Sequence, residues 1–194
     1  MIFVIIIHMN IEVETKIQLE SLEKVRKKLK TIGGSLKESM RQIDEYYVPC
    51  HRDFFLSQPC VEWLRVRQNP DRAIFEYDKS IVCRKDSAQN YAEEYEVEVK
   101  QPENLRKILK FLDFKKIVTV DKQREYWQCE DFEIALDQVK NLGFFIEVEA
   151  QGNFLNTKIA RAGCARFLTQ KLGIKDWQKR QVKTGYPVLL LKKM

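Results

Sequence analysis

The feature that most constrains this chain is a charge pattern of period two, repeated in five separate segments. Glu12, Glu14 and Lys16 form one set, Arg65 and Arg67 a second, and Glu94, Glu96 and Glu98 a third. Lys122 with Arg124 and Glu147 with Glu149 complete the series, and Asp137 precedes the last pair. Residues two apart on a strand share a face, so each set predicts a strand with one charged face. The intervening residues are apolar: Leu64 and Val66; Tyr95, Val97 and Val99; Phe144, Ile146 and Val148.

One such strand is usually an amphipathic strand with a solvated face. Five sets carrying both signs allow a second arrangement, in which a closed sheet turns its charges inward and covers its apolar face with helices. Unpaired buried charge is costly. That interior becomes sensible if it holds a polyanion and a divalent cation, because carboxylates suit Mg²⁺ and guanidinium or ammonium groups clamp phosphate oxygens.

Strict alternation over residues 11–19 predicts the first strand, with Ile11, Val13, Ile17 and Leu19 on one side. A helix opens at Ser21 with Leu22, Val25, Leu29 and Ile32 inward, and stops at Gly33-Gly34. Further helices are expected from Pro102, with Leu105, Ile108, Leu109 and Leu112 inward, and over 153–172, ended by Gly173. Strand-like runs occupy 43–48, 61–67, 72–79, 91–99, 116–127, 131–139 and 144–150, with Asn69-Pro70-Asp71 as a hairpin turn and a polar loop at 85–90. Many short strands with few helices predict a single antiparallel barrel or sandwich.

The chain has 194 residues, 44% hydrophobic and 32% charged, enough for one cored domain. Its net charge of +6 suits an anionic partner. Five cysteines without a C-x-x-C pair argue for free thiols in a reducing, cytoplasmic setting. The apolar run Ile2–Ile7 is too short to span a bilayer and lacks the marks of a secretion signal. It reads either as a misread start before Met9 or as an extension of the first strand. With no G-x-x-x-x-G-K-[ST] or G-x-G-x-x-G, a bound triphosphate must be held by side chains. His8 and His51 are the only histidines, which disfavours a histidine-based triad or zinc enzyme, and Cys50-His51 is read as incidental.

E-x-E-x-K at Glu12, Glu14 and Lys16 resembles the signature of the CYTH superfamily, the triphosphate tunnel metalloenzymes. The resemblance continues in order through D-x-Y-Y at Asp44–Tyr47, W-L-R-V-R at 63–67, E-E-Y-E-V-E at 93–98, K-x-R at Lys122 and Arg124, and the run 135–149. Within the superfamily the wording is most similar to the class IV adenylyl cyclase branch. The resemblance implies an α+β fold, a closed antiparallel eight-stranded barrel with flanking helices whose tunnel binds a triphosphate.

By position, it implies that Glu12, Glu14, Asp137, Glu147 and Glu149 hold one or two Mg²⁺ or Mn²⁺ ions. Arg65, Arg67, Lys122 and Arg124 would grip the phosphates, with Lys16 beside the reacting phosphorus, Tyr46 assisting proton transfer and Lys183 adding a late basic contact. The family's third-strand lysine has no direct counterpart: its slot holds Asp78, and Lys79 lies one residue late, on the other face unless a bulge restores it. An arginine often found before the second glutamate set is Ala92 or Glu93 here.

The expected substrate is a small triphosphate: ATP for an adenylyl cyclase, or thiamine triphosphate, inorganic triphosphate or a nucleotide for a triphosphatase. A triphosphate binder without catalysis is a lesser alternative. So is a nucleic-acid-binding barrel, resting on the basic face of the first helix and on Trp63, Trp127 and Trp177 as base platforms. Neither nucleic acid nor membrane is expected as a partner, and the chain is expected to be a monomer or homodimer.

Overall fold

The computed structural model describes residues 13–57, 60–81, 91–151 and 154–194. Glu12, Ile2–Ile7, Met9, His8, Cys83 and the 85–90 patch lie outside them. Eight strands form one antiparallel sheet: β1 (Glu14–Leu19), β2 (Ser35–Pro49), β3 (Glu62–Gln68), β4 (Ala73–Ile81), β5 (Tyr91–Val99), β6 (Phe114–Cys129), β7 (Phe132–Val139) and β8 (Gly143–Ala150). Their spatial order is β1-β8-β7-β6-β2-β3-β4-β5. The flanking helices are α1 (Glu23–Thr31), α2 (Pro102–Phe111), α3 (Thr157–Arg166), α4 (Trp177–Arg180) and α5 (Tyr186–Leu191). The architecture is the expected α+β fold of eight antiparallel strands with flanking helices.

Sheet order places β1 and β5 at the two ends, and among the described residues no ladder joins them. The free edge of β1 is instead met by the chain before α5. Gln181 bridges Ile17, and the Val182 amide donates to the Lys16 carbonyl at 2.9 Å. That contact satisfies backbone groups an edge strand would leave open.

The apolar outer face of the sheet makes two cores. On the β1, β7 and β8 side, Ile17, Ile134, Leu136, Ile146 and Val148 pack against Val25 and Leu29 of α1 and Cys164 of α3. Burying each of the larger aliphatics contributes about 1.5–3 kcal/mol. The Glu23 amide donates to Ser21 Oγ at 3.2 Å, and Gly33 (φ +85°) ends α1 where a side chain would be strained. On the β2–β3 side, Leu64, Val66, Val48 and Leu109 of α2 form the other core. Ile108 and Leu112, expected inward, are 53% and 62% exposed, because α2 lays only its Leu105–Leu109 stripe on the sheet. Tyr95 and Val97 on the outer face of β5 are likewise exposed.

β2 begins at Ser35 rather than near residue 43, and β6 runs from Phe114 to Cys129. Residues 35–42 pair with β6 but not with β3, so their side chains are largely exposed and show no hydrophobic alternation. The third helix starts at Thr157, capped by the Asn156 side chain, and finishes in a wider π turn over Phe167–Lys171 before Gly173. The hairpin turn at Asn69-Pro70-Asp71 closes as expected, the Asn69 amide donating to the Arg72 carbonyl at 2.9 Å. Among the described residues no helix is long and apolar enough to cross a membrane.

Candidate functional site

The strand register turns the charges inward. Lys16 lies opposite Glu147 and Glu14 opposite Glu149 across β1–β8; Arg124 faces Asp137 across β6–β7; Tyr46 and Asp44 face Arg65 and Arg67 across β2–β3. The cavity between these strands measures about 830 Å³ and is lined by residues that include Glu14, Lys16, Tyr46, Arg65, Arg67, Lys122, Arg124 and Glu147, with Asp78 and Glu94 on the far wall and Lys183 at its rim. One end is closed by an apolar plug in which Tyr46, Val120, Val139, Leu142 and Phe145 pack against Tyr186 at the start of α5.

On the β1 and β6–β8 wall, Glu14, Asp137 and Glu147 each have a cation. Lys16 Nζ sits 2.8 Å from Glu147 and 3.7 Å from Glu14. Arg124 donates to both oxygens of Asp137 (2.7 and 2.5 Å) and to Glu147 (2.5 Å). The Tyr186 hydroxyl donates to Asp137 at 2.7 Å, and the ammonium groups of Lys16 and Lys122 lie 4.7 and 5.4 Å from its ring centre. A second network centres on Asp44, which takes two hydrogen bonds from Arg67 (2.7 and 3.1 Å) and stands 3.7 Å from both Arg65 and Lys122.

These surroundings sort the titratable groups. Burial would lower the Lys16 pKa, but Glu14 and Glu147 outweigh it and hold the amine firmly protonated. Burial, and then Arg124, push Lys122 down to about 8. Burial raises Tyr46 to about 12, so its hydroxyl, which accepts from Arg65 at 3.1 Å, keeps its proton. Burial would raise Asp44 and Glu147, yet Arg67 with Lys122 and Arg65 holds Asp44 well below the carboxylate range, and Arg124 with Lys16 does so for Glu147. Glu14 shifts up, mainly through burial, and Glu149 rises to about 8 through burial and the nearby Glu133 and Glu14.

The tunnel therefore gathers Lys16, Tyr46, Arg65, Arg67, Lys122, Arg124, Glu14 and Glu147, with Lys183 exposed at the rim. Lys79 is not brought to it: the β3–β4 and β4–β5 ladders run without a bulge, so Lys79 pairs with Glu62 and Glu93 and is exposed on the outer face. Asp137 is fully enclosed, and its oxygens are taken by Arg124 and Tyr186, so it orients Arg124 and does not line the cavity. Glu149 lies beyond the lining and accepts from Gln151 at 2.7 Å. Glu14, Glu147 and Glu149 are hard oxygen donors, and the burial that raises Glu14 and Glu149, joined at Glu149 by neighbouring carboxylates, is what a divalent cation offsets, so this set fits such an ion.

Sequence reasoning left out four contributors. Asp44 sits inside the D-x-Y-Y motif with the same parity as Tyr46, and Glu76 shares a face with Asp78; both signals were present. Glu94 was one of the charge sets. Tyr186 carries no motif, and only the return of the C-terminal segment places it at the tunnel end. Of the three tryptophans proposed as base platforms, Trp63 and Trp177 are part of the cavity lining. Trp127 is buried, Trp177 packs on the α1–α3 core, and Trp63 meets Tyr46 and Phe55 edge-on while Gly185 sits against its ring. The basic side chains of α1 stand outside the sheet, with Arg26 paired to Glu125 at 2.7 Å.

Comparison with known proteins places these residues in a family. The CYTH domain profile matches residues 10–176. A protein of Methanocaldococcus jannaschii named "putative adenylate cyclase" is 32% identical over 148 residues, covering 76% of this chain and 81% of its own. A solved protein of Pyrococcus horikoshii OT3 superposes with a TM-score of 0.75 at 26% identity, covering 94% of this chain and 99% of its own. A Hippeastrum structure, described as a "putative adenylyl cyclase" with a dominant triphosphatase activity, has a TM-score of 0.59 at 13% identity and covers 84% of this chain and 88% of its own.

Proposed function

Because the chain belongs to the CYTH family, we propose that it is a metal-dependent enzyme acting on a triphosphate held along the tunnel, and that its reaction is adenylyl cyclisation. The observation that carries the reading is one 830 Å³ cavity with seven cationic side chains in its lining, five of them on strands, together with unexhausted carboxylates. A triphosphate needs several fixed cations, and without a glycine-rich loop these come from Lys16, Arg65, Arg67, Lys122 and Arg124.

In this reading Arg65 and Arg67, held by Asp44, grip one end of the phosphate chain. Arg124, aimed by Asp137, contacts the next phosphate group. Lys16 keeps its proton and neutralises charge that builds on the phosphorus oxygens. Tyr46 stays protonated, which suits it to donate a hydrogen bond to a substrate oxygen and not to act as a base. Glu14, Glu147 and Glu149 would hold Mg²⁺ or Mn²⁺, which supplies Lewis-acid polarisation of phosphate oxygens when bound. The ribose 3′-oxygen attacks the α-phosphorus, the bond to the β-phosphate oxygen breaks, pyrophosphate leaves, and the 3′-hydroxyl proton is released.

The name of the Methanocaldococcus relative supports cyclisation. A second reading is hydrolysis of the terminal phosphate. The activity described for the Hippeastrum neighbour points this way. Product analysis by mass spectrometry after incubation with ATP and Mg²⁺ or Mn²⁺ separates the two. Cyclic AMP with pyrophosphate establishes cyclisation, whereas orthophosphate alone replaces it with hydrolysis.

A further inference from the structure

The β4–β5 wall is built unlike the rest of the tunnel. Asp78 lies directly opposite Glu94, and Glu76 directly opposite Glu96, so like charges stack across two same-face rungs with the Tyr77–Tyr95 rung between them. Such pairs are destabilising in isolation. Among the described residues, the cations that reach this group are Arg65, ion-paired with Glu76, and Arg67, 3.8 Å from the same carboxylate; neither is within ion-pair distance of Asp78 or Glu94. Asp78 is only 9% exposed, lines the cavity, and has a carboxylate oxygen, Oδ1, that is buried without a hydrogen-bond partner. A buried charged oxygen of that kind is expensive unless something binds it.

We propose that Glu76, Asp78 and Glu94 form a divalent-cation site on the β4–β5 wall, made by different strands from the β1–β8 carboxylates. One oxygen from each of the three lies within 4.8 Å of the others. That spacing suits three ligands around one ion at metal–oxygen distances of about 2.1–2.5 Å, with water completing the shell. The donor set is all oxygen, which selects Mg²⁺, Mn²⁺ or Ca²⁺ over softer ions. A divalent cation here offsets the like charges that the ladder stacks on this wall. A cation here also restores positive charge where the family pattern has lysine and this chain has Asp78, so the tunnel carries an ion on each of two walls.

The test needs neither substrate nor turnover. The full chain, without triphosphate, is titrated with MnCl₂ while electron paramagnetic resonance reads free Mn²⁺. The wild type is expected to show two classes of bound ion. Asp78→Asn and Glu94→Gln should each weaken the same class by more than about tenfold, a loss that even an outer-shell partner can produce. Glu147→Gln should spare that class and remove the other, so failure of the β1–β8 assignment is told apart from failure of this one. Glu94 is half-buried, so its variant keeps the test valid if Asp78→Asn does not fold. Wild-type Mn²⁺ binding in Asp78→Asn or Glu94→Gln, or one class that Glu147→Gln alone abolishes, overturns the site.

Discussion

The two walls of the tunnel use the same alternating pattern and reach opposite electrostatic states. On the β6–β8 wall, Arg124 is shared by Asp137 and Glu147, Lys16 joins Glu147 to Glu14, and Tyr186 donates to the Asp137 oxygen that also accepts from Arg124. On the β4–β5 wall, Glu76 and Asp78 face Glu96 and Glu94, and among the described residues the ion pairs of Arg65 and Arg67 on this wall go to Glu76. The first wall is a closed network, costly to break because each member is buried against the others. The second stores repulsion that a substitution or a cation can release. Register, and not composition, makes the difference: K-x-R on β6 is set beside D and E-x-E on β7 and β8, whereas E-x-D on β4 is set beside E-x-E on β5.

Breaking the closed wall should have the largest effect. Arg124→Ala leaves Asp137 and Glu147 buried without their shared cation and is expected to cost about 3–5 kcal/mol in stability by urea denaturation, with turnover lost. Glu147→Gln is milder for the fold, since Lys16 keeps a polar neighbour. It should nevertheless reduce metal-dependent turnover by at least about a hundredfold, roughly 2.7 kcal/mol of transition-state stabilisation; near-normal rates would remove Glu147 from the metal site.

The open wall should respond in the other direction. Asp78→Asn in metal-free buffer above about pH 8, where Asp78 is ionised, removes a like-charge pair and should stabilise the chain by roughly 0.2–1 kcal/mol, seen as a rise in melting temperature. A loss of stability instead would mean that Asp78 already has a partner. Protonation sharpens the same contrast. Burial, followed for Glu149 by neighbouring carboxylates, raises Asp78 and Glu149 to about 8. Their folded pKa values exceed the unfolded ones near 4, so their contribution is full below about pH 4 and is lost as pH rises through 8. Metal-free stability should therefore decline across that window by on the order of 2 kcal/mol, and saturating Mn²⁺ should flatten the decline.

The smallest effect concerns Lys122, held down to about 8 by burial and Arg124. Its ammonium is lost as pH climbs through that value, so the rate of inorganic triphosphate capture should fall between pH 7 and 9. Lys122→Met should bind more slowly at pH 7 and lose that component of the pH dependence in stopped-flow traces.

Much of this site was legible in the residues alone. Period-two charge sets placed Lys16, Arg65, Arg67, Lys122, Arg124 and Glu147 on one face, because side-chain alternation in a strand is a local property of the backbone. The apolar partners Val66, Ile146 and Val148 marked the face that helices would cover for the same reason. The bulge-free β4 likewise put Lys79 outside, as its odd spacing from Asp78 required.

What local pattern cannot supply is the identity of the residue across the ladder or across the tunnel. Whether Asp137 would face a metal or clamp Arg124, and whether Asp78 would meet a lysine or Glu94, depended on pairings set by packing between distant segments. The exposed stretch 35–42 was invisible as a strand because its partner is β6, some eighty residues away, and its side chains have no core to mark it. Tyr186 reached the tunnel only because the C-terminal segment returns to the β1 edge. The sequence determined which face of each strand carries charge, since that follows from backbone geometry; the tertiary structure decided which charges neutralise one another, since pairing energy falls off over a few ångströms and only folding brings those atoms so close.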